Sequence, residues 1–318
     1  MRKVILLSSG LLLILVIGLT LHTQLFFSRT FTIMKSHWPA WDLFEYQVSS
    51  GLLNSRHTVF KNFPTYEKAL DSFMSNQDDA ALVTIFEAIY VQSKGIPVKI
   101  VLLLDYTLGG DQLLVQQDIT SLPSLKGKKI GAEYGTISHF TSLKALEKAG
   151  LSSSDILFDF DSMPNLIKKF KNGDLDALGS FEPFSSKLTS TTGSHAIFSS
   201  KEIPRAICDV LIIKESSFSS ASTHIKFWRK QWRKITNAYI KNPNLIKDDM
   251  NQFYVNQNHP FSFNTNGIYL TGHVENIVAF NPTHGYLLDS LKDMMNFMIE
   301  HNVIDKPVPL EAMLTLYD

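Results

Sequence analysis

Residues 133–138 carry side chains that could hold an anion. They lie where a predicted strand, Lys129 to Ala132, meets the start of a predicted helix. Free backbone N–H groups and the helix dipole favour a negative group at such a junction. Thr136 and Ser138 add hydroxyl donors beside Gly135. Serine and threonine are also ordinary helix N-caps, so the local pattern leaves both interpretations open.

Two glutamates occupy similar places in the two halves of the chain. Glu182 lies in the run Phe181-Glu182-Pro183-Phe184, and Glu87 follows Phe86. An acidic residue beside a proline is an ordinary helix start signal. In the functional interpretation, Glu182 accepts hydrogen bonds from a ligand amine, hydroxyl or ring N–H, and Glu87 presents a matching corner from the other half. The residues alone do not decide between these interpretations.

Aromatic and acidic residues follow two predicted strands. Trp38 and Asp42 come just after the first strand, and Asp105 and Tyr106 follow a later one. Aromatic walls with a few placed polar groups are typical of small-ligand pockets. We therefore expect Trp38 and Tyr106 to form apolar walls and Asp42 to orient donors on a ligand. The alternatives are a tryptophan packed on the sheet edge and a hinge at Asp105 and Tyr106.

Composition and spacing argue against several other functions. The 30 basic and 30 acidic residues cancel, which gives no reason to expect a nucleic-acid partner. The ten histidines include no pair at i, i+4 on one helix face, and no phosphate-binding Gly-Lys-Ser/Thr loop or nucleophile elbow is present. Cys208 is the single cysteine and has no partner for a disulfide. We predict no catalytic residue, no metal and no cofactor.

A block of sequence that occurs twice indicates how the chain positions these residues. Residues 76–82 and 172–178 each place an Asn turn and an apolar strand after an amphipathic helix, and a Phe-Glu pair follows each block. Asp79 and Asp176 are the matching aspartates. Two copies are too few for a solenoid. They predict two similar α/β lobes whose strand ends face a shared crevice.

The order of predicted elements supports this division. Strands and helices alternate through both halves, which favours mainly parallel sheets with helical crossovers. We predict loops at residues 37–42 and 105–111, a return strand at 203–214 and a helix at 267–280. The predicted fold class is α/β with two lobes, each a mainly parallel sheet flanked by helices, and a ligand cleft between them. The predicted segments are 1–29 (signal peptide or anchor), 30–112 (lobe 1), 113–204 (lobe 2) and 205–318 (lobe 1 again).

The N-terminus predicts export. Arg2 and Lys3 precede an apolar stretch at residues 4–21 that would span about 27 Å as a helix. This stretch is longer than the apolar region of about 7–15 residues in a typical signal peptide. No convincing cleavage site or lipid-attachment cysteine lies between Leu21 and Thr32. A cleaved signal and a retained anchor both stay open, and either places the rest of the chain in the periplasm or an equivalent extracytoplasmic space.

Several motifs together resemble one known family. They are residues 37–42 (His-Trp-Pro-Ala-Trp-Asp), 105–111 (Asp-Tyr-Thr-Leu-Gly-Gly-Asp), 125–131 (Leu-Lys-Gly-Lys-Lys-Ile-Gly), 135–136 (Gly-Thr) and 172–177 (Asn-Gly-Asp-Leu-Asp-Ala). Over roughly residues 30–310 the chain resembles the nitrate/sulfonate/taurine group of ABC-transporter substrate-binding proteins, which includes thiamine-pyrimidine-binding proteins. The resemblance implies a periplasmic-binding-protein type II fold that closes on a ligand. It also implies that strand-end loops supply the ligand contacts, here Trp38, Asp42, Tyr106, Thr136, Ser138 and Glu182.

The resemblance further implies a protein that is not an enzyme. We expect a monomer that captures a small polar or anionic organic molecule, sulfonate/taurine-like or pyrimidine-like, and delivers it to ABC permease subunits in the membrane. Two acidic groups in the cleft would make a purely anionic ligand such as nitrate less suitable. One alternative is a membrane-tethered sensor without transport. Another is the family's pyrimidine-forming enzyme, but that branch is similar to a Cys-rich pattern which this chain, with Cys208 alone, lacks.

Overall fold

The computed structural model describes residues 29–50, 57–75 and 77–317 of the 318-residue chain. Within these ranges, none of the helices combines the length and the apolar character that crossing a bilayer requires. The predicted signal or anchor at residues 4–21 lies outside the described residues, as does Asn76 of the first repeated block.

Two mixed sheets organise the described chain. The first has the strand order β11-β4-β10-β3-β1-β2, and the second has the order β7-β6-β8-β5-β9. The strands are β1 (Phe31–Lys35), β2 (Thr58–Asn62), β3 (Ala80–Thr84), β4 (Val98–Thr107), β5 (Asp111–Val115), β6 (Lys129–Ala132), β7 (Leu157–Phe160), β8 (Ala177–Phe181), β9 (His195–Ser199), β10 (Cys208–Lys214) and β11 (Ile268–Leu270).

Helices cover both sheets. The first group is α1 (Pro39–Ser49), α2 (Tyr66–Met74), α3 (Ile85–Ser93), α4 (Ile137–Lys148), α5 (Met163–Lys171) and α6 (Phe184–Thr192). The second group is α7 (Glu215–Phe218), α8 (Ser222–Lys241), α9 (Pro243–Asn256), α10 (His273–Ala279), α11 (Tyr286–Glu300) and α12 (Leu310–Met313). The buried stripe of α8 includes Trp228 and Trp232, as its helical spacing predicts, and all of its lysine and arginine residues except the buried Arg229 are exposed.

The sheets are parallel in their early strands and antiparallel where the chain crosses. Strand β1 pairs in parallel with β2 and β3, and β6 pairs in parallel with β7 and β8. The crossing strands β10 and β5 pair antiparallel with both of their neighbours. The α/β class with two helix-flanked sheets is confirmed, although each sheet is mixed.

The repeated block forms the same unit in each sheet. Helix α2, strand β3 and helix α3 follow one another in the first, and α5, β8 and α6 do so in the second. The carboxylate of Asp79 accepts a hydrogen bond from the backbone N–H of Thr32 at 3.0 Å, which fixes the start of β1. Asp176 accepts one from the backbone N–H of Lys129 at 2.9 Å at the start of β6. The repeated aspartate therefore has a structural role.

Three predicted local structures are wrong. Of the predicted loop at residues 37–42, only 37–38 lie outside a helix, because Pro39 occupies the first turn of α1 instead of only ending a strand. Asp105 and Tyr106 lie inside β4, which continues to Thr107 because it pairs with both β10 and β11. Residues 267–280 contain β11 as well as a helix. The change of sheet falls between Thr107 and Asp111, so the predicted boundary at 112 lies within β5.

Replacing Gly179 by alanine should destabilise the protein by about 1–3 kcal/mol, the usual cost of overpacking a core. Gly179 lies in β8, and a Cβ atom there would come within 2.4 Å of the Ser138 carbonyl oxygen and 2.6 Å of the Ser142 hydroxyl on α4. The carbonyl belongs to the helix backbone, so it cannot rotate away. Urea unfolding should show a lower midpoint with an unchanged slope. A midpoint equal to that of the wild type would contradict this close packing of α4 on β8.

Candidate functional site

A cavity lies between the two sheets. Its walls come from the end of β1 and the helices after it, from the ends of β3, β6 and β8, and from the starts of β5 and β10. The lining residues are Ser36, His37, Trp38, Trp41, Tyr66, Thr84, Asp111, Glu133, Thr136, Ile137, Phe181 and Asp209. Residues far apart in sequence therefore meet at one point between the sheets.

The cavity is small in the observed arrangement of the two sheets. The empty space including the mouth is about 370 Å³, but a water-sized sphere can centre itself in only about 20 Å³ of it. The smaller volume determines which molecules the cavity can hold, because the larger volume includes open solvent. One ordered water needs at least about 10–15 Å³ by the same measure. An organic molecule could enter only if the two sheets moved apart.

Three aromatic rings form one wall. The Trp38 and Trp41 ring centroids lie 6.5 Å apart, and those of Trp41 and Tyr66 lie 5.8 Å apart. The Trp38 indole N–H donates to both carboxylate oxygens of Asp105, at 3.4 and 3.3 Å. The Trp41 indole N–H is buried without a hydrogen-bond partner. The wall is apolar with one donor free for a ligand.

Three carboxyl groups form the opposite part of the lining. Asp111, Glu133 and Asp209 are at most 3% exposed, and each has one carboxyl oxygen with no hydrogen-bond partner. Glu133 uses its other oxygen to accept the backbone N–H of Met163 at 3.1 Å. Unpartnered buried acceptors are uncommon in folded proteins and call for an explanation. A ligand that donates hydrogen bonds would provide one.

Three further acids lie close behind the lining. Asp105 faces Asp209 across the β4–β10 pair, and Glu87 and Glu182 act electrostatically on Asp111. All three are buried. Burial raises the pKa of both Asp105 and Asp209, and the coulombic effect of Asp105 raises that of Asp209 further. The two carboxyl groups titrate as a pair that retains a proton near neutral pH.

Burial also changes the protonation of the lining itself. It raises the pKa of Asp111 to about 7, and the charges of Glu87 and Glu182 add to the effect. It raises the pKa of Glu133 to about 7 as well. Among the residues that line this cavity, none is a lysine or an arginine. The cavity is therefore an acidic site without a resident counter-ion in its lining.

We expect the free energy of unfolding of the ligand-free protein to fall as the pH rises from about 6.5 to about 8. Asp111 and Glu133 keep protons up to about pH 7 in the folded state but only to about pH 4 when unfolded. The folded state therefore binds more protons, and stability declines until these groups have ionised. Three histidines with a pKa lowered to about 4 by burial act in the opposite sense below about pH 6.5, namely His37, His139 and His224.

Urea unfolding at pH 6.5, 7.25 and 8 measures this decline. In Asp111→Asn the decline should be smaller, because one of the titrating groups is gone. A wild-type stability that rises across this interval would contradict a lining of protonated carboxyl groups.

Trp38 and Thr136 are the predicted site residues that line the cavity. The serine and threonine hydroxyl groups of residues 133–138, the predicted anion-binding loop, form hydrogen bonds within that loop. Thr136 donates its O–H to the Glu133 carbonyl at 2.8 Å, and the Ser138 oxygen accepts the Glu133 backbone N–H at 2.9 Å and lies 3.1 Å from the Thr136 oxygen. These bonds fix the turn, in which Gly135 has a φ of +67° that favours glycine.

Two predicted acids are turned away from the cavity. Asp42, in the first turn of α1, is paired with the Lys35 ammonium and accepts the Tyr254 hydroxyl at 2.6 Å. Glu87 accepts the backbone N–H of Thr84 at 3.0 Å as part of a capping box on α3. Neither acid is among the residues that line the cavity, and the ligand-binding roles of both stay predictions.

The remaining predicted residues lie at the edge. Tyr106 stacks on Tyr269 with ring centroids 4.7 Å apart and does not line the cavity. Glu182 accepts the Ser186 hydroxyl at 2.8 Å, while its second oxygen is buried and unpartnered. Burial raises the pKa of Glu182. The functional roles of these residues stay predictions.

Sequence reasoning did not assign the carboxyl groups that dominate the site. Asp111 was assigned to a loop, and Glu133 was treated only as part of the anion loop. Asp209 was not singled out although it interrupts an apolar run. An isolated acid inside a strand of aliphatic residues was the available signal, because a buried carboxyl group is costly unless a partner compensates for it.

A cluster of possible metal ligands adjoins the cavity, since it includes the lining residue His37. One ligand atom each from His37, Asp42 and His259 falls within 4.8 Å of the others. The two imidazoles are hydrogen-bonded at 2.8 Å, and the Phe261 backbone N–H donates to Nδ1 of His259 at 3.4 Å. That donor places the His259 proton on Nε2, the atom that would have to bind a metal. The cluster is better described as a hydrogen-bond network.

Comparison with known proteins supplies a family and a fold. The model of the NMT1/THI5-like family matches residues 62–244, which is more than half of the chain. Among curated proteins no significant match is found.

The solved structures that match include two binding proteins. The alkanesulfonate-binding protein SsuA from Xanthomonas axonopodis pv. citri, bound to MOPS, is 14% identical with a TM-score of 0.73 and coverage of 90% of this chain and 98% of that one. The periplasmic aliphatic sulphonate binding protein SsuA from Escherichia coli is 14% identical with a TM-score of 0.70 and coverage of 91% and 93%. The desulfurization enzyme DSZB also matches, at 13% identity, a TM-score of 0.66 and coverage of 91% and 96%.

These similarities confirm the predicted fold class. At such low identity they establish the fold alone, which binding proteins and an enzyme share. The family resemblance noted in the sequence is supported independently by the match over residues 62–244.

Proposed function

This chain belongs to the NMT1/THI5-like family, and from that premise we propose that it is an exported solute-binding protein. It would capture a small polar organic molecule between its two sheets and deliver it to the permease of an ABC importer. The sulfonate-binding proteins with the same fold support the binding role. Export rests on the predicted N-terminal segment at residues 4–21.

The observation that supports this proposal most directly is the cavity, which is lined by residues from both sheets. Trp38, Trp41 and Tyr66 come from one side of it, and Glu133 and Thr136 come from the other. The chain crosses between the sheets through the short connection from Thr107 to Asp111 and again between β9 and β10. Two crossings allow the sheets to move about a hinge, as in ligand-driven domain closure. In this proposal the ligand bridges the sheets and stabilises the closed arrangement.

A catalytic role has less support. DSZB shares the fold, and enzymes often use cysteine as a nucleophile. Here Cys208 is fully buried at the start of β10 and is not part of the cavity lining. Burial raises the pKa of its thiol, which opposes formation of the reactive thiolate. The chemistry of the site favours binding over covalent catalysis.

The experiment measures both ligand binding and the accompanying movement of the two sheets. The full-length protein, purified in mild detergent, is unfolded thermally with taurine, methanesulfonate, nitrate, hydroxymethylpyrimidine and small amines. A ligand at 100 times its Kd should add about 2.7 kcal/mol to the free energy of unfolding. Small-angle X-ray scattering should show a changed radius of gyration with the same ligand, because the two sheets must move to admit it.

Two variants locate the binding. Tyr66→Leu removes part of the cavity wall and should weaken the shift. Tyr269→Leu changes an exposed tyrosine outside the lining and should not. If no compound in any class changed stability or shape, the solute-binding role would be contradicted.

A further inference from the structure

We propose that the ligand of this cavity is a small organic cation with several N–H donors, such as a guanidinium or a primary ammonium compound. The inference rests on the proposed solute-binding function and specifies its ligand class. It differs from the sulfonates that the similarly folded binding proteins are named for. Its basis is the arrangement of carboxyl groups in and behind the lining.

The lining offers acceptors and lacks donors to match them. Asp111, Glu133 and Asp209 line the same cavity, and each has one buried carboxyl oxygen without a hydrogen-bond partner. Just behind the lining, Glu182 also has an unpartnered buried oxygen. An unsatisfied buried acceptor is destabilising, and a charged donor compensates for it best. A planar guanidinium or an ammonium group supplies several N–H donors from one small centre.

The charged groups that act on the three lining acids have a single sign. Asp209 is influenced by Asp105, Asp111 and Glu87, which lie on β4, β5 and α3. The charges that act on Glu133 are those of Glu67 on α2 and Glu87. No lysine or arginine is among the charged groups that shift the pKa values of Asp111, Glu133 and Asp209. A bound cation would be the missing counter-charge.

The aromatic wall fits the same ligand class. Trp38, Trp41 and Tyr66 lie side by side at the cavity. Tryptophan and tyrosine faces attract cations, most strongly where water is excluded.

The site disfavours a sulfonate or another anion. The hydroxyl of Thr136 already donates to the loop backbone, and Ser138 is hydrogen-bonded within the same loop. The carboxyl group of Glu133 lies in the same lining as Thr136, the N-cap of α4. An anion at this helix N-terminus would meet the carboxyl groups instead of a basic side chain.

The direction of the pH effect on affinity separates the two ligand classes. A cation requires ionised carboxyl groups, so its binding releases protons and its affinity rises with pH below about 7–8. We expect binding to be about tenfold tighter at pH 8 than at pH 6 when one of Asp111 and Glu133 must ionise, and about a hundredfold tighter when both must, since both titrate in this interval. An anion would bind more tightly as the pH falls.

The experiment measures Kd by isothermal titration calorimetry on the full-length protein in detergent at pH 6, 7 and 8. The probes are methylguanidinium, agmatine and putrescine as cations, methanesulfonate and ethanesulfonate as anions, and a neutral 4-aminopyrimidine. Binding of at least one cation with affinity rising with pH supports the inference. Binding by sulfonates or the neutral pyrimidine without any cation overturns it while the solute-binding role stands. Binding by none overturns both.

A pair of variants ties the effect to the cavity. Asp209→Asn should weaken cation binding about tenfold to a hundredfold, the usual loss when a charged hydrogen-bond partner is removed. The ligand-free variant should unfold at a higher temperature, because one buried carboxyl group is gone. Asp159→Asn is the matched control, since Asp159 is paired with Lys129 and Lys169 outside the cavity. Equal loss of binding in both variants would overturn the assignment.

Discussion

Replacing Lys35 by methionine should destabilise the protein by about 3–5 kcal/mol, the usual cost of breaking a buried ion pair on one side. The Lys35 side chain is 2% exposed and is paired with Asp42 and, at 2.9 Å, with Glu45. Burial alone would lower the pKa of Lys35, but these two carboxylates raise it above its ordinary value. Without the ammonium, two carboxylates would remain buried without their cation.

The sign of the pH dependence follows from this arrangement. In the wild type the raised pKa makes the contribution of Lys35 fully present below pH 10.5 and lost above it. Urea unfolding of the wild type and of Lys35→Met at pH 7 measures the loss.

Two comparisons separate the ion pair from the loss of a side chain. The triple variant Lys35→Met/Asp42→Asn/Glu45→Gln removes all three charges and should recover much of the stability. Lys169→Met removes a lysine that also pairs with two carboxylates, Asp159 and Asp161, but at the surface. Its loss should be much smaller because surface pairs contribute little. Equal losses for Lys35→Met and Lys169→Met would contradict a buried network.

The network also gives Asp42 a structural role that the local sequence did not indicate. Asp42 was expected in the cleft because it follows the first strand. Pro39 instead starts α1 there, so the side chain of Asp42 points to Lys35 and Tyr254. Sequence spacing does not show which face of a new helix meets the cavity. That depends on the partner Tyr254, more than two hundred residues later.

The sequence predicted the fold more completely than it predicted the site. The repeated helix-strand-helix block predicted one unit in each sheet, because apolar periodicity and turn residues are local signals. Strands β2, β7 and β9 were not predicted; β2 and β7 are edge strands that carry few buried residues. Edge strands leave a weak apolar pattern, since only one neighbour covers them.

The acidic character of the cavity could not be read from local sequence. Asp105 and Asp209 become neighbours only because β10 returns to pair with β4. Asp111 and Glu133 line the same space only because β5 and β6 belong to the second sheet. Each acid by itself resembles an ordinary strand-end residue. Their shared burial, which raises the pKa of each, is a property of the tertiary structure.

Replacing Trp38 by alanine should have two large effects. The ring is 5% exposed, and large-to-small changes of this kind cost about 3–5 kcal/mol in stability. The indole N–H also donates to Asp105, so the variant removes a partner from an acid that is already costly to bury. Loss of one wall of the cavity should weaken binding of any bridging ligand by about tenfold or more.

Trp38→Phe separates these contributions. Phenylalanine retains an aromatic wall but cannot donate to Asp105, so we expect a smaller stability loss and most of the affinity. Thermal unfolding with and without ligand gives both quantities for each variant. If Trp38→Ala lost stability but kept the wild-type affinity, Trp38 would be a packing residue at the sheet edge and not a wall of the binding site. If the affinity falls in Trp38→Ala and is retained in Trp38→Phe, the aromatic face itself contacts the ligand.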